Sequence, residues 1–331
     1  MESEAPAAST AYVGLLDQGD EGEGRTWALK ELVGPNSKGF TLIKAVPQCP
    51  STTVPLVDAN HRVMGLIAYG DSTMAQCAEE AAELMRELRP EACFTGKGID
   101  NRRGHFGNLN AGVAHGGGRL HPANITNTET NAEVIDKLIN STPFQRLSGY
   151  ATGIFKTWAP RLYEYCSLQY ERLLSSDDSF IRIFDNSVMA SAAFNFGPRT
   201  VCIPHIDFGN LAFLWCWIWG LGWFNWKRGG HLVLWDLRLV IEFPPGTVAA
   251  IPSGVCRHGN TRIGKKETRY SFTQYSSGGN FRWVDHGFQT EEKYHASLTA
   301  REAEEEQVRK EGRWKMGLNL FSTLEELGLD T

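Results

Sequence analysis

"PHIDFGNLAFLWCWIWGLGWFNW", residues 204–226, sets a His and an Asp one residue apart at the head of an aromatic run. From Phe208 to Trp226 no residue is charged. The run is long enough to compare with a membrane span. It is interrupted by Gly209, Asn210, Gly220, Gly222 and Asn225, and its Trp and Phe residues favour strands. The run therefore reads as strand, turn, strand, and no membrane partner is expected. Trp215, Trp217 and Trp219 alternate, so they share one strand face and are expected to form the wall behind the His-x-Asp pair.

Outward from this run, residues 180–284 keep one rhythm. Short apolar segments are broken by "FGPR", "GLG", "KRGG", "FPPG", "IPSG" and "IGKK". That spacing predicts an antiparallel sandwich or jelly roll. Upstream, "GFTLIKAV" and "HRVMGLIAYG" predict short strands. A helix is predicted over 73–88, capped by Ser72 or Thr73 and stopped by Pro90. Further helices are predicted over 131–140 and from Pro160. Residues 97–122 read as a long loop or hairpin, and 290–312 as a charged, solvated helix whose end is docked by Trp314, Phe321, Leu324 and Leu327. The predicted fold class is α+β, a double-stranded β-helix (jelly-roll, cupin-like) core with flanking helices. The predicted organisation is a flexible acidic N-terminus, 1–25, and one catalytic domain, 26–331. Within that domain 26–179 holds helices, strands and a loop facing the substrate, 180–289 the β-core, and 290–331 a helical tail.

The composition is that of an ordinary globular chain, 42% hydrophobic and 21% charged. The N-terminus "MESEAPAAST" has no apolar segment of the signal-peptide kind. Seven cysteines in an odd count without C-x-x-C spacing predict reduced thiols, not a disulfide frame or a zinc site. The net charge of −5 is unevenly placed: the first thirty residues and residues 290–331 are acidic, and the body between them is mildly basic. Such a body permits a polyanionic partner without requiring one.

His205 and Asp207, two apart on an extended chain, offer an imidazole and a carboxylate to one point. A 2-His-1-carboxylate site for non-heme Fe(II) needs a second His from a distant strand. His231, His258 and His286 are the candidates, and the sequel selects His258. Eleven residues beyond it Arg269 opens "RYSFTQY", and Ser271 follows on the same face. An Arg fork there can pair both oxygens of a carboxylate such as the far one of 2-oxoglutarate, with Ser271 adding a hydroxyl. Thr273 and Tyr275 continue that face. His231 reads as a core or turn histidine, and His286 lies beyond the sheet.

Taken together, "RRGHFGNLNAGVAHGGG", "FNFGPRT…HIDFGN", "GGHLVLWDL", "EFPPGTVAAIPSGVCRHGNTRI" and "ETRYSFTQYSSGGNFRWV" resemble the TET/JBP dioxygenases, nearest to the fungal, transposon-associated branch. The resemblance runs over roughly 50–325. It implies Fe(II), 2-oxoglutarate and O2, and oxidation of 5-methylcytosine in DNA to hydroxymethyl-, formyl- and carboxylcytosine. It implies His205, Asp207 and His258 as iron ligands and Arg269 and Ser271 as cosubstrate contacts, with Arg199 as a second basic one. It also implies Asn210 at the base edge, where relatives place an acid, Tyr275 stacking on the base, and Ser277 where some relatives place a base-reading His.

A methyl group inside a duplex cannot reach a buried metal, so the base must be flipped out. Lys97, Arg102, Arg103 and Arg119, in a Gly-rich segment with one acid, are the expected phosphate contacts. Two alternatives stand beside this reading: 6-methyladenine demethylation by the same chemistry, and an inactive, transposon-associated DNA-binding module. A monomer working on DNA in the nucleus is expected, the compartment following from the substrate.

Overall fold

The computed structural model describes residues 7–16, 24–46 and 52–329. A short helix α1 (Leu29–Leu32) precedes strands β1 (Thr41–Ile43), β2 (Thr52–Val57) and β3 (Val63–Tyr69). Helix α2 (Ser72–Leu88) leads to a small hairpin of β4 (Asp100–Asn101) and β5 (Gly104–His105), then β6 (Gly107–Ala114) and β7 (Ala123–Asn124). Three helices follow: α3 (Glu129–Ile139), α4 (Thr142–Trp158) and α5 (Pro160–Leu174). The remaining strands are β8 (Ser191–Phe196), β9 (Cys216–Trp223), β10 (Leu232–Leu234), β11 (Leu239–Ile241), β12 (Thr247–Ile251), β13 (His258–Asn260) and β14 (Thr268–Tyr275). The chain closes with α6 (Gly278–Asp285), α7 (Glu291–Ser297) and α8 (Ala300–Leu318).

Eight strands form one sheet in the order β2-β3-β12-β9-β14-β8-β6-β7, and four form a second in the order β1-β11-β10-β13. Two sheets with helices outside the larger one are the expected double-stranded β-helix core. Four strands of the large sheet come from before residue 179, so the predicted division at 179/180 is no physical boundary. The "loop" of 97–122 also contributes β6, an eight-residue strand paired along β8.

Alternation along β9 sorts the two faces. Trp217, Trp219 and Leu221 join Trp215 in the core against the helices, while Cys216 and Ile218 face the space between the sheets. Phe155 of α4 meets Trp215 and Trp217 at 5.5 and 5.7 Å. The tryptophan wall is therefore as expected, clamped by a helix that the sequence reading passed over. The same sorting along β14 sends Tyr270 and Phe272 to the helices and Arg269, Ser271, Thr273 and Tyr275 inward.

Three further expectations are corrected. The cap of α2 is Asp71, whose carboxylate accepts from the Met74 N–H at 3.0 Å. The tail is two helices, α7 and α8, with α6 ahead of them where strand was expected. Residues 7–14, expected to be flexible, lie on the core with Tyr12 2% exposed, because Tyr12 and Ala11 have apolar surface to bury. Within the 1–25 segment, residues 1–6 and 17–23 lie outside the described residues, as does Cys49.

Candidate metal centre

His205 sits in an extended segment, not a regular strand; its single ladder contact is an antiparallel bridge to His258, the first residue of β13. The backbones exchange both bonds, His205 N–H to His258 O and His258 N–H to His205 O, each at 2.9 Å. The ring centroids lie 4.3 Å apart. Asp207, one pleat further, is fixed by its own N–H donating to Ser253 O at 2.8 Å. Ile206 between them turns the other way, into an apolar cavity with Leu234 and Ile251.

The three side chains offer ligand atoms within 4.8 Å of one another. His205 Nε2 is 3.8 Å from one Asp207 oxygen, and His258 Nε2 is 3.7 Å from the other. The remaining ring nitrogens have matching carbonyl partners two residues upstream. His205 Nδ1 meets Ile203 O at 2.8 Å, and His258 Nδ1 meets Cys256 O at 3.0 Å. Each carbonyl requires Nδ1–H, so each Nε2 lone pair faces the common point. Burial pushes His205 down to about 3, with the neighbouring His258 adding to the shift, and pushes His258 down too. Burial works against ionising Asp207, yet His205, His258, Arg103 and Arg102 outweigh it and hold the carboxyl well below the usual range. Two neutral imidazoles and one carboxylate on one face form the donor set of a non-heme Fe(II) centre, with open positions for other ligands.

Arg269, 1% exposed, has no carboxylate partner among the described residues. Its Nη1 donates to Thr200 O at 2.9 Å, while its Nε has no partner. Burial pushes the guanidinium down to about 10. A buried, uncompensated fork is costly unless an anion completes it. One segment ties the two sites together, since Arg199 bridges Arg269 at one end of it and His205 bridges His258 at the other. Ser271 is buried beside Arg269, and its Oγ accepts from Asn195 Nδ2 at 2.9 Å. The residues present therefore fit a metal chelated by a dianionic keto acid.

The Asn195 bond belongs to a ladder that sequence reasoning missed. Asn108 Nδ2 donates to Asn195 Oδ1 at 2.6 Å, Asn110 Nδ2 donates to Asn108 Oδ1, and the Tyr275 hydroxyl points to Asn110 Oδ1 at a long 3.5 Å. The ladder crosses β14, β8 and β6 on the inward face and leads from Ser271 to Tyr275. The alternation in "GNLNAGVA" carried the signal, since it places Asn108 and Asn110 opposite Leu109 and Ala111.

Other expected contacts are placed differently. Arg102, at the tip of the β4–β5 hairpin, donates to Asp207 Oδ1 at 3.0 Å and to Ile206 O, with its guanidinium 5.1 Å from the Phe208 ring. In this structure it holds the Asp207 carboxylate. Arg103 has no side-chain partner among the described residues, and its charge reaches His205, Asp207, His258 and Tyr275. Arg119 is exposed beside a separate cavity with His115 and Trp283, and Lys97's side chain lies outside the description. Arg199 is exposed, because only its backbone runs beside Arg269; its side chain lines an outer groove. Asn210 is buried, and its amide donates to Ser253 Oγ at 2.9 Å. Ser277 is also buried, its Oγ accepting from His115 N–H at 3.0 Å. Both side chains tie loops together. Tyr275 alone of the expected base contacts stays half-buried on the inward face of β14, with its hydroxyl pushed up to about 12 by burial. His231 is fully buried against Thr261 Oγ1 at 2.7 Å, the core histidine expected.

No protein-family model matches the chain, and no curated protein matches it. Among solved structures the chain is similar to "NgTET1 in complex with 5mC DNA", at 15% identity and a TM-score of 0.50, over 73% of this chain and 85% of that one. It is also similar to an oxidoreductase of the 2OG-Fe(II) oxygenase family from Burkholderia pseudomallei, at 15% identity and a TM-score of 0.35, over 70% of this chain and 86% of that one. The likeness to NgTET1 shows the fold, a double-stranded β-helix with flanking helices.

Proposed function

We propose that the protein is an Fe(II)- and 2-oxoglutarate-dependent dioxygenase that oxidises a methylated base in DNA, chiefly 5-methylcytosine. The observation that carries the reading is a complete His205–Asp207–His258 donor set joined, through the segment 199–205, to Arg269, a buried cation with no carboxylate partner among the described residues. The fold shared with NgTET1, which was solved with 5mC DNA, supports DNA as the substrate class.

When bound, the metal with 2-oxoglutarate and O2 supplies oxidation of an unactivated C–H bond. The chain does the rest. The carbonyls of Ile203 and Cys256 keep the imidazoles in the tautomer that frees Nε2. Arg102 occupies one oxygen of Asp207 and leaves the other for the metal. Arg269 and Ser271 receive the far carboxylate of the keto acid, and Arg103 is free for a carboxylate nearer the metal. Tyr275 and the asparagine ladder line the space beside them, where an extruded base would find an aromatic ring and amide edges. Stepwise oxidation to hydroxymethyl-, formyl- and carboxylcytosine follows if the product re-enters the same cavity, and the substrate implies a nuclear place of work. A complete donor set weighs against an inactive binding module.

The test is nucleoside mass spectrometry after incubation with Fe(II), 2-oxoglutarate and DNA carrying either 5-methylcytosine or 6-methyladenine. Loss of 5-methylcytosine with a gain of its oxidised forms is expected, and abolished by His258→Ala. Consumption of 6-methyladenine alone would transfer the reading to demethylation. Turnover of 2-oxoglutarate with neither base consumed would overturn the DNA assignment.

A further inference from the structure

The β4–β5 hairpin has two sides. Arg102 holds Asp207, while Gly104, His105 and Phe106 form part of the wall of a separate groove of about 680 Å³. Val201 and Ile203 also line it, from the same extended segment that carries His205. The groove therefore runs beside the metal cavity, with the hairpin between them.

Its charge is one-sided. Arg25, Arg89, His105 and Arg199 line it, and no acidic residue is among the described lining residues, although the chain carries a net −5. Arg25 is stacked on Trp27 at 3.5 Å and paired with Glu31 at 2.8 Å, and His105 is paired with Asp100. Arg89 donates through Nε to Gly197 O at 2.8 Å, a bond that orients its guanidinium and engages only one of its three nitrogens. Arg199 is exposed and has no partner among the described residues. Two arginine forks thus stand over a wall that includes the backbone of Gly104, Gly107 and Gly197. Arginine forks match phosphate oxygens in pairs.

We propose that this groove seats the phosphodiester backbone of DNA flanking the base presented to the metal cavity, with Arg199 and Arg89 as its phosphate contacts. The proposal rests on the DNA reading above and locates it on a face that Arg102 and Arg119 do not supply.

Anisotropy of a fluorescein-labelled duplex carrying one 5-methylcytosine, titrated with full-length protein at several salt concentrations, tests it. Arg199→Ala is expected to weaken binding about tenfold at low salt, and Arg199→Glu more. Arg199→Ala and Arg89→Gln are each expected to flatten the slope of log K against log salt by about 1. Mn(II) affinity by electron paramagnetic resonance should stay within twofold, which reports that the metal centre and fold persist. Unchanged DNA affinity and slope in Arg199→Glu would overturn the proposal. So would a raised KM for 2-oxoglutarate with DNA affinity retained in Arg199→Ala, which would return Arg199 to the cosubstrate. If the wild-type protein binds no duplex, the DNA reading itself fails, and that failure is seen before any variant is made.

Discussion

Both metal-facing histidines are oriented by a backbone carbonyl two residues before them, and the carboxylate between them is oriented by a side chain from far away. Arg102 lies 105 residues upstream of Asp207 and is half exposed, its side chain retaining 48% of its accessibility. Solvent on the Arg102 side screens the pair and limits its contribution to stability, so its effect falls on geometry. Arg102→Ala should leave the urea midpoint close to wild type and weaken Mn(II) binding about tenfold, the usual scale for losing an orienting partner of a ligand. Paramagnetic resonance titration reads this directly, and unchanged affinity would show that Asp207 needs no such support. The triad itself was legible because its spacing is local: His and Asp two apart, then His ahead of an Arg-bearing strand. The direction of Asn210 was not. Its amide chemistry is visible in the sequence, but Ser253, 43 residues on, decides where it points. The pairing of Arg102 was hidden for the same reason, since nothing near it announces that the chain will bring Asp207 beneath it.

At the scale of elements, alternation and turn chemistry revealed most of the β-core, and the missed pieces share a cause. Helix α4 holds Gly149 and Gly153 and only a thin apolar stripe, so its propensity is poor. It forms because Phe144 packs at 5.1 Å on Phe194 and 5.0 Å on Phe272, contacts that exist only in the folded chain. The N-terminal segment is a second case. Residues 7–14 close on themselves through an Ala7–Gly14 bridge and lie against the loop after Asp207. Val13 bridges Leu211, and the Gly14 N–H donates to Phe208 O at 2.9 Å. The approach is so close that a Cβ on Gly14 would lie 1.7 Å from Gly254 O. The anchor is Tyr12, whose hydroxyl donates to Asp285 at 2.7 Å with Arg313 4.1 Å from its ring. Removing that hydroxyl leaves a partly buried carboxylate with Gln169 as its remaining side-chain donor among the described residues. Tyr12→Phe should therefore lose about 1–2 kcal/mol in urea unfolding. A midpoint equal to wild type would mean that the segment is held by its backbone contacts alone.

For the whole molecule, buried histidines set the response to acid. Burial pushes His231 down to about 4, against roughly 6.5 in an unfolded chain. Between these values the unfolded state binds the extra proton, so stability is full above about pH 6.5 and is lost as the pH falls toward 4. A shift of that size corresponds to ~3 kcal/mol. His205 and His258, also lowered, add loss of the same sign, so the informative quantity is the difference between wild type and His231→Asn. That variant should be less stable at pH 7, where a well-packed side chain is replaced, yet show a visibly shallower decline from pH 6.5 to 4. Metal adds a separate increment, because an ion that binds only the folded chain stabilises it by about 2.7 kcal/mol at a hundredfold excess over its dissociation constant. Mn(II) should raise the urea midpoint at pH 7 in wild type and in His231→Asn alike, and leave it unmoved in His258→Ala. The two histidines are both buried, and only one faces the carboxylate of Asp207. If the Mn(II) increment survived in His258→Ala, the ion would be held elsewhere, and the triad would have to be read as a polar edge of the core with no metal to serve.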